Sequence, residues 1–169
     1  MESLFRLYGR KLYFTALRIT GNDTDAQEAV QKSFINFYNR LETKGHATEI
    51  QNTEAYLTGC CVKVSIDIVR GRKRDAIFMK KLKEADYFTE TEYNTEELQL
   101  EENKLVESIK EALAVMDEEY RIIISLRAIE GYSYSEIAEM TGLKEGSIRV
   151  KFLRGKEKLI KYLKGYSYG

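Results

Sequence analysis

Apolar residues recur along this chain at three- and four-residue intervals, the period of helices buried on one face. Phe5, Tyr8, Leu12, Ala16 and Ile19 form a first stripe, and Gly21 offers a stop behind it. Thr24 and Gln27 have the spacing of a capping box and open a second helix toward Leu41. Its inner face is Ala26, Ala29 or Val30, Phe34, Phe37 and Leu41, which leaves Asp25, Glu28, Gln31, Lys32 and Asn36 outside. Glu42 to Asn52 is polar, breaks the pattern and reads as a loop. A third helix from about Thr53 to Arg74 buries Leu57, Cys60, Cys61, Val64 and Ile68. Its other face carries Lys63, Asp67, Arg70 and Arg74, with Arg72 and Lys73 close by. Gly59 and Gly71 oppose that helix, since each costs about 1 kcal/mol relative to alanine in a helix interior.

The periodicity lapses from Asp75 to about Asn103. Ile77, Phe78, Met79 and Leu82 either extend the third helix or pack against a domain, whereas the acidic run from Glu84 to Glu102 buries little and reads as a mobile linker. Beyond it, Leu105, Ile109, Leu113 and Met116 make one stripe, and Ile122, Ile123, Leu126 and Ile129 another. Tyr166 to Gly169 reads as a frayed end. The expected fold is all-α: two small helical domains, residues 1–74 and 105–169, joined by an acidic linker at 75–104.

The most specific local signal lies between Ser133 and Lys158. Ser133 and Glu136 form a capping box before a short helix, and Gly142 supplies the residue that can take positive φ where that helix turns. The following helix sets Ile148, Phe152, Leu159 and Leu163 on one face and Arg149, Lys151, Arg154 and Lys158 elsewhere. A helix-turn-helix presents its second helix to the major groove of DNA in this way. Ser147, Arg149, Val150, Lys151 and Arg154 are the candidate duplex contacts, and Lys156, Lys158 and Lys161 fit phosphates or solvent.

Composition narrows the function further. The 169 residues include no proline, where average usage would supply roughly eight. Cys60 and Cys61 are adjacent, a spacing unsuited to an ordinary disulfide or a zinc ligand pair. His46 is the only histidine, so a histidine metal site or nucleophile–base pair has little to build on. The expectation is a non-enzyme without metal, cofactor or small-molecule substrate. No apolar run long enough to insert in a membrane and no signal-like N-terminus is present, so a cytoplasmic protein is expected.

The formal charge of zero conceals a partition. Met1 to Arg74 holds twelve basic against eight acidic residues, and Lys144 to Gly169 eight against two. Asp75 to Leu105 holds four against nine. Two basic surfaces with an acidic segment between them suit local attraction to nucleic acid, and that segment is expected to shield both surfaces in the free chain.

Three segments in order carry a family resemblance. Asp25-Ala-Gln-Glu-Ala-Val-Gln-Lys-Ser-Phe34 is similar to the polymerase-binding helix of sigma region 2. Tyr56-Leu57 with Ser65-Ile-Asp-Ile-Val-Arg70 is similar to the end of that region, where promoter DNA is melted and read. Ala112 to Arg121 with Tyr134 to Lys158 is similar to sigma region 4. Over nearly its whole length the chain resembles bacterial RNA polymerase sigma factors of the extracytoplasmic-function group. The resemblance implies that Asp25, Glu28 and Gln31 contact core RNA polymerase, and that region 4 reads the minus-35 element of promoter DNA. It further implies that Tyr56, Lys63, Arg70, Arg72, Lys73 and Arg74 serve a separated minus-10 strand, with Tyr56 better suited to core packing than to base stacking. An anti-sigma factor is an implied partner.

The chain departs from the family pattern at several positions. Tyr56 stands where tryptophan is usual, Val62-Lys63 where Arg-Asn is common, and Gln27 where an acid is usual. Asp117 replaces a usual proline, and Lys151 and Gly155 replace a usual arginine and alanine. A dimeric helix-turn-helix regulator that needs no polymerase, and a helical interaction module that binds no DNA, remain as alternatives.

Overall fold

The computed structural model describes residues 2–44, 50, 52–82 and 104–166, and every element among them is helical. Three long helices come first: α1 (Glu2–Thr20), α2 (Asp23–Lys44) and α3 (Thr53–Leu82). Then follow α4 (Lys104–Val115), α5 (Glu118–Ile124), a π-helical turn (Ser125–Ile129), α6 (Tyr134–Thr141) and α7 (Glu145–Tyr166). His46 and residues 83–103 lie outside the described residues, as does the end expected to fray, apart from Tyr166.

The start of α2 differs from the capping box expected at Thr24 and Gln27. Asn22 takes that role: its Oδ1 accepts the Asp25 amide at 2.9 Å and its Nδ2 donates to Asp25 Oδ2 at 2.8 Å. Asparagine is among the strongest N-cap residues, and the left-handed turn at Gly21 (φ 77°) delivers it directly after α1. Gln27 instead donates to Asp23 at 2.7 Å. The other expected box forms as read. Ser133 Oγ accepts the Glu136 amide at 3.1 Å, and the Ser133 amide donates to Glu136 at 2.7 Å. Those bonds, the amide foremost, hold the Glu136 carboxyl below its ordinary pKa. Gly142 ends α6 at φ 70°.

The first three helices surround a core of Leu12, Ala16, Ala26, Ala29, Val30, Phe34, Phe37, Leu57 and Cys61. Phe5 departs from its stripe: it is 53% exposed, although its ring still meets that of Phe34, 5.3 Å between centroids. On α3 the burial is wider than one stripe. Leu57 and Cys61 are buried as expected, while Cys60, Val64 and Ile68 are half-buried. Val62, Ile66 and Val69 are buried on an adjacent arc beyond the expected stripe. That second arc faces the C-terminal helices. The helix also continues past Arg74 to Leu82, with Ile77, Phe78 and Met79 exposed.

In the C-terminal half, Leu113, Met116 and Ile124 pack with Ile109, Tyr120, Phe152 and Leu159. At Gly155 α7 lies close against α5, since a Cβ there would sit 3.1 Å from Ile124 and 3.3 Å from Tyr120. Ile129, expected inside, is 46% exposed because the π-helical turn re-phases the helix before it ends.

The two halves meet in one apolar layer. Ile19, Val62, Ile66 and Val69 join Ile122, Ile123, Leu126, Ile137 and Ile148 in a single buried cluster. Fully burying an aliphatic side chain of this size stabilises by about 1.5–3 kcal/mol. Polar groups frame the layer. Glu130 accepts from Thr15 at 2.9 Å and pairs with Arg18 at 2.5 Å. Arg121, itself only 7% exposed, donates to the carbonyls of Arg18 at 2.9 Å and Ile19 at 3.4 Å. A residue of the second half thereby caps the carbonyl end of α1, where orphan acceptors and the helix dipole both favour a cation.

Gly21 is required twice at this junction. Its φ is left-handed, and an added Cβ would lie 2.7 Å from Arg121 Nη2. Gly59, in contrast, sits in a helix interior with open space beside it. Gly21→Ala is expected to lower stability by about 1–2 kcal/mol or more, and Gly59→Ala to raise it by roughly 0.5–1 kcal/mol. Urea unfolding of the two variants gives opposite shifts of midpoint if the junction is built as described.

Burial pushes the Cys61 thiol up to about 11, so it stays protonated at neutral pH. Native protein treated with a thiol reagent is expected to leave Cys61 unmodified while the half-buried Cys60 reacts, and both should react in denaturant. Mass spectrometry of the two peptides checks this.

Candidate nucleic-acid interface

The exposed side of α7 begins at its first turn. Ser147, Arg149, Val150 and Arg154 are exposed, and Lys151 is half-buried. Ile148 anchors the helix from the other side, fully buried in the layer between the halves. Tyr134 at the start of α6 steadies the basic face. The Arg149 guanidinium lies 5.0 Å from its ring centroid and Arg127 lies 5.1 Å from it, a stacking that limits the arginine without discharging it. Arg149 also reaches Glu145 at 3.4 Å. Lys151 is engaged by Glu119, and Lys158 by Asp117 at 2.8 Å. Lys151 holds the Glu119 carboxyl below its ordinary pKa, chiefly through their hydrogen bond. All five candidate duplex contacts thus belong to the first ten residues of one helix, with α6 braced behind it.

The α3 candidates divide into two sets. Tyr56, Lys63, Arg70 and Arg74 recur at seven- and four-residue intervals, so they share one face of the helix. Lys63, Arg70 and Arg74 are exposed along it. Tyr56 is half-buried at the helix start, its ring 5.8 Å from Phe37 and covered by Arg40 at 5.4 Å. Between Tyr56 and Arg70 the axis runs roughly 21 Å at 1.5 Å per residue. Aromatic ring and terminal cations therefore lie far apart along the helix.

Arg72 and Lys73 turn away from that face. Arg72 donates to the Thr20 carbonyl at 2.7 Å, pairs with Asp25 at 3.0 Å and reaches Glu118 at 3.3 Å. Lys73 pairs with Glu118 at 3.1 Å. Arg70 stands between the sets: it donates to the Thr141 carbonyl at the helix-turn-helix turn and lies 3.8 Å from Asp67.

The three candidate polymerase contacts on α2 are also separated. Asp25 and Glu28 line a groove of about 480 Å³ between α2 and α3, with Lys32, Asp67, Arg72 and Asp75. Gln31 instead lines a smaller groove of about 320 Å³ between α1 and α2, beside Phe5, Arg10 and Tyr13. Asp25 was expected outside, yet its side chain is only 16% exposed because Asn22 and Arg72 both bind it.

Sequence reasoning missed Arg18, Glu118, Arg121 and Glu130, which join the halves. One signal was present. The apolar positions of α3 cover too broad an arc for a helix with a single partner, since Val62, Ile66 and Val69 fall beside the first stripe. Nothing in the sequence marks Arg121 as the cap of α1.

The chain is similar to known proteins in sequence and in fold. Residues 4–75 match the family model for Sigma-70 region 2, and residues 107–159 that for Sigma-70, region 4. The ECF RNA polymerase sigma factor SigE of Mycolicibacterium smegmatis is 30% identical over 167 residues, covering 98% of this chain and 62% of the relative. SigW of Bacillus subtilis, also an ECF RNA polymerase sigma factor, is 23% identical over 163 residues, covering 94% of this chain and 86% of the relative. The chain thus spans under two thirds of the SigE relative but most of SigW. Among solved structures, the sigma factor RpoE in complex with the anti-sigma factor NepR from Bartonella quintana superposes with a TM-score of 0.60 at 18% identity, covering 96% of each chain. CnrH in complex with the cytosolic domain of CnrY gives 0.50 at 19% identity, covering 97% of this chain and 87% of that one. Both likenesses bear on the fold.

If α7 reads a duplex, Arg154→Ala should weaken binding of double-stranded DNA by about tenfold and leave helicity unchanged, because Arg154 lies off the packed face. A good bidentate arginine contact is worth about 1–3 kcal/mol. Fluorescence anisotropy at several salt concentrations measures the loss, and circular dichroism the helicity.

Proposed function

Because the chain belongs to the sigma-70 family, in its extracytoplasmic-function group, we propose that it is a dissociable, non-catalytic subunit that binds core RNA polymerase and directs initiation at a two-part promoter. The observation that carries this reading is the order of its parts. A region 2 match and a region 4 match stand in one chain, and each bears a basic helix face of its own, on α3 and on α7. Two unlike DNA-facing helices fit two unlike promoter elements better than two equivalent half-sites.

In this reading α7 lies in the major groove of the minus-35 duplex with Ser147, Arg149, Val150, Lys151 and Arg154 nearest the bases or their flanking phosphates. Lys151 lacks the planar fork of arginine and so contributes charge more than bidentate readout. The face of α3 carrying Lys63, Arg70 and Arg74 follows the backbone of the separated minus-10 strand, and Arg72 and Lys73 join it once Lys73 is released from Glu118 and Arg72 from Glu118, Asp25 and the Thr20 carbonyl. Tyr56 supports that region from the core. Asp25, Glu28 and Gln31 mark the surface of α2 offered to core polymerase, with the groove beside Asp25 and Glu28 as its centre. The working units are a first half that runs through α3 to Leu82 and a second that starts with α4 at Lys104, in place of the expected bounds 1–74 and 105–169.

An anti-sigma factor is the fitting inhibitor, since one solved structure similar in fold is a sigma factor in complex with an anti-sigma factor. No helix among the described residues is long and apolar enough to cross a membrane; a cytoplasmic location accords with work on polymerase and DNA.

Run-off transcription tests the proposal. Core polymerase with this chain should start transcripts at discrete genomic positions, and core polymerase alone should not. Footprints that require polymerase separate this from a dimeric regulator, which would protect paired half-sites unaided. Glu28→Lys should reduce capture of core polymerase several-fold without changing binding of minus-35 duplex; unaltered capture would move the contact surface elsewhere.

A further inference from the structure

The third helix outruns its own core. Its last turns carry Ile77 and Phe78, which are 57% and 63% exposed and belong to none of the buried clusters. Phe78 meets no other ring among the described residues. Their register ties them to the basic face. Ile77 follows Arg70 by seven residues and Phe78 follows Arg74 by four, intervals that return a helix to the same side. The face that runs through Lys63, Arg70 and Arg74 therefore ends in an exposed aromatic ring with an isoleucine beside it. Asp67 shares that face and lies 3.8 Å from Arg70. Asp75 does not, since it lines the groove between α2 and α3 with Asp25 and Glu28.

Whatever covers this end of the helix must suit both cations and a flat apolar ring. Unpaired nucleic acid does, because single strands are held by a basic track for the phosphates and by aromatic platforms for the bases. The track on α3 lacks a free platform at its start, where Tyr56 is half-buried against Phe37 and covered by Arg40. From Arg74 to Phe78 the axis rises about 6 Å at 1.5 Å per residue. A stacked strand advances about 3.4 Å per nucleotide, so a phosphate at Arg74 leaves a base within two steps of the ring. Charge points the same way. Arg72, Lys73 and Arg74 precede the apolar pair in the sequence and Lys80 and Lys81 follow it, which suits a polyanion.

We propose that Phe78 is a base-stacking platform for unpaired nucleic acid at the far end of the α3 track, with Ile77 beside it. The proposal rests on the reading of α3 as the single-strand face and adds to it the more exposed of the helix's two aromatic rings. Phosphate contacts by Lys63, Arg70 and Arg74 hold the strand irrespective of sequence, and the ring takes a base at the end of the separated segment.

The test uses the full chain with Phe78→Leu, Phe78→Trp and Arg74→Gln, all at exposed positions, with circular dichroism to confirm intact helices. The probes are an oligothymidylate and an abasic oligomer of equal length, which keeps the phosphates and lacks the bases. Phe78→Leu should weaken oligothymidylate binding about tenfold, the loss of one stacked base, and leave abasic binding unchanged. Its salt slope should match wild type, whereas Arg74→Gln should lower the slope by about 0.7 on either probe, the share of one phosphate contact. The chain contains no tryptophan, so Phe78→Trp reports on this position alone. Its fluorescence should be quenched by oligothymidylate and not by the abasic oligomer. Unchanged oligothymidylate binding by Phe78→Leu, or an equal loss on both probes, overturns the platform. So does a Phe78-dependent loss confined to binding of phosphatidylglycerol vesicles, or to self-association in sedimentation, which would put a membrane or a second copy on this face. If wild type binds neither oligomer at low salt, the single-strand reading of α3 falls and the platform with it.

Discussion

The arrangement of this molecule depends on Arg121 reaching across from the second half to cap the carbonyl end of α1. A buried guanidinium is costly unless its donors are satisfied. Here the carbonyls of Arg18 and Ile19 supply acceptors that α1 cannot use itself. The bargain holds only because Gly21 turns left-handed without a side chain in the way. Asn22 then follows at once as the cap of α2. One short turn thereby ends a helix, starts another and receives a charge from a distant segment.

Around that contact the apolar layer supplies most of the attraction and the ion pairs supply register. Ile19, Val62, Ile66 and Val69 are one-sided surfaces that would face water without the second half. Burial of such groups is non-directional and would tolerate sliding. The Glu130 contact with Thr15 and Arg18 does not, because a nearly buried carboxylate needs particular partners. The π-helical turn precedes Glu130, and its carbonyl at Ser125 accepts the Glu130 amide at 2.9 Å.

The same packing divides the basic residues by availability. Lys63, Arg74 and Arg154 remain exposed, whereas the exposed Arg149 pairs with Glu145 and stacks on Tyr134. Arg70, Arg72, Lys73, Lys151 and Lys158 each meet an acceptor within the chain. A surface that is basic in composition is therefore only partly basic in effect. In the proposed role, a surface only partly basic in effect would limit non-specific binding to DNA, which is driven by phosphate contacts and little else.

Local pattern alone determined where the helices lie, though not where α2 and α3 end: α2 runs to Lys44, into the segment expected as a loop, and α3 to Leu82. It also determined the capping box at Ser133 and Glu136, the turns at Gly21 and Gly142, and the face of α7 that meets solvent. Those features arise from contacts a few residues apart, where spacing is the geometry. The sequence also marked Lys63, Arg70 and Arg74 as one face, for the same reason. Tertiary structure decided what became of the second apolar arc of α3, the inward turn of Arg72 and the split of Asp25 and Glu28 from Gln31 between two grooves. Asn22 displaced Thr24 because the turn at Gly21 fixed where α2 could begin. Pairings such as Arg121 with the end of α1, or Glu118 with Lys73, join residues far apart in the chain, and no local rule ties one to the other. Periodicity tells a side chain which way to face; only the packed fold tells it what it meets there.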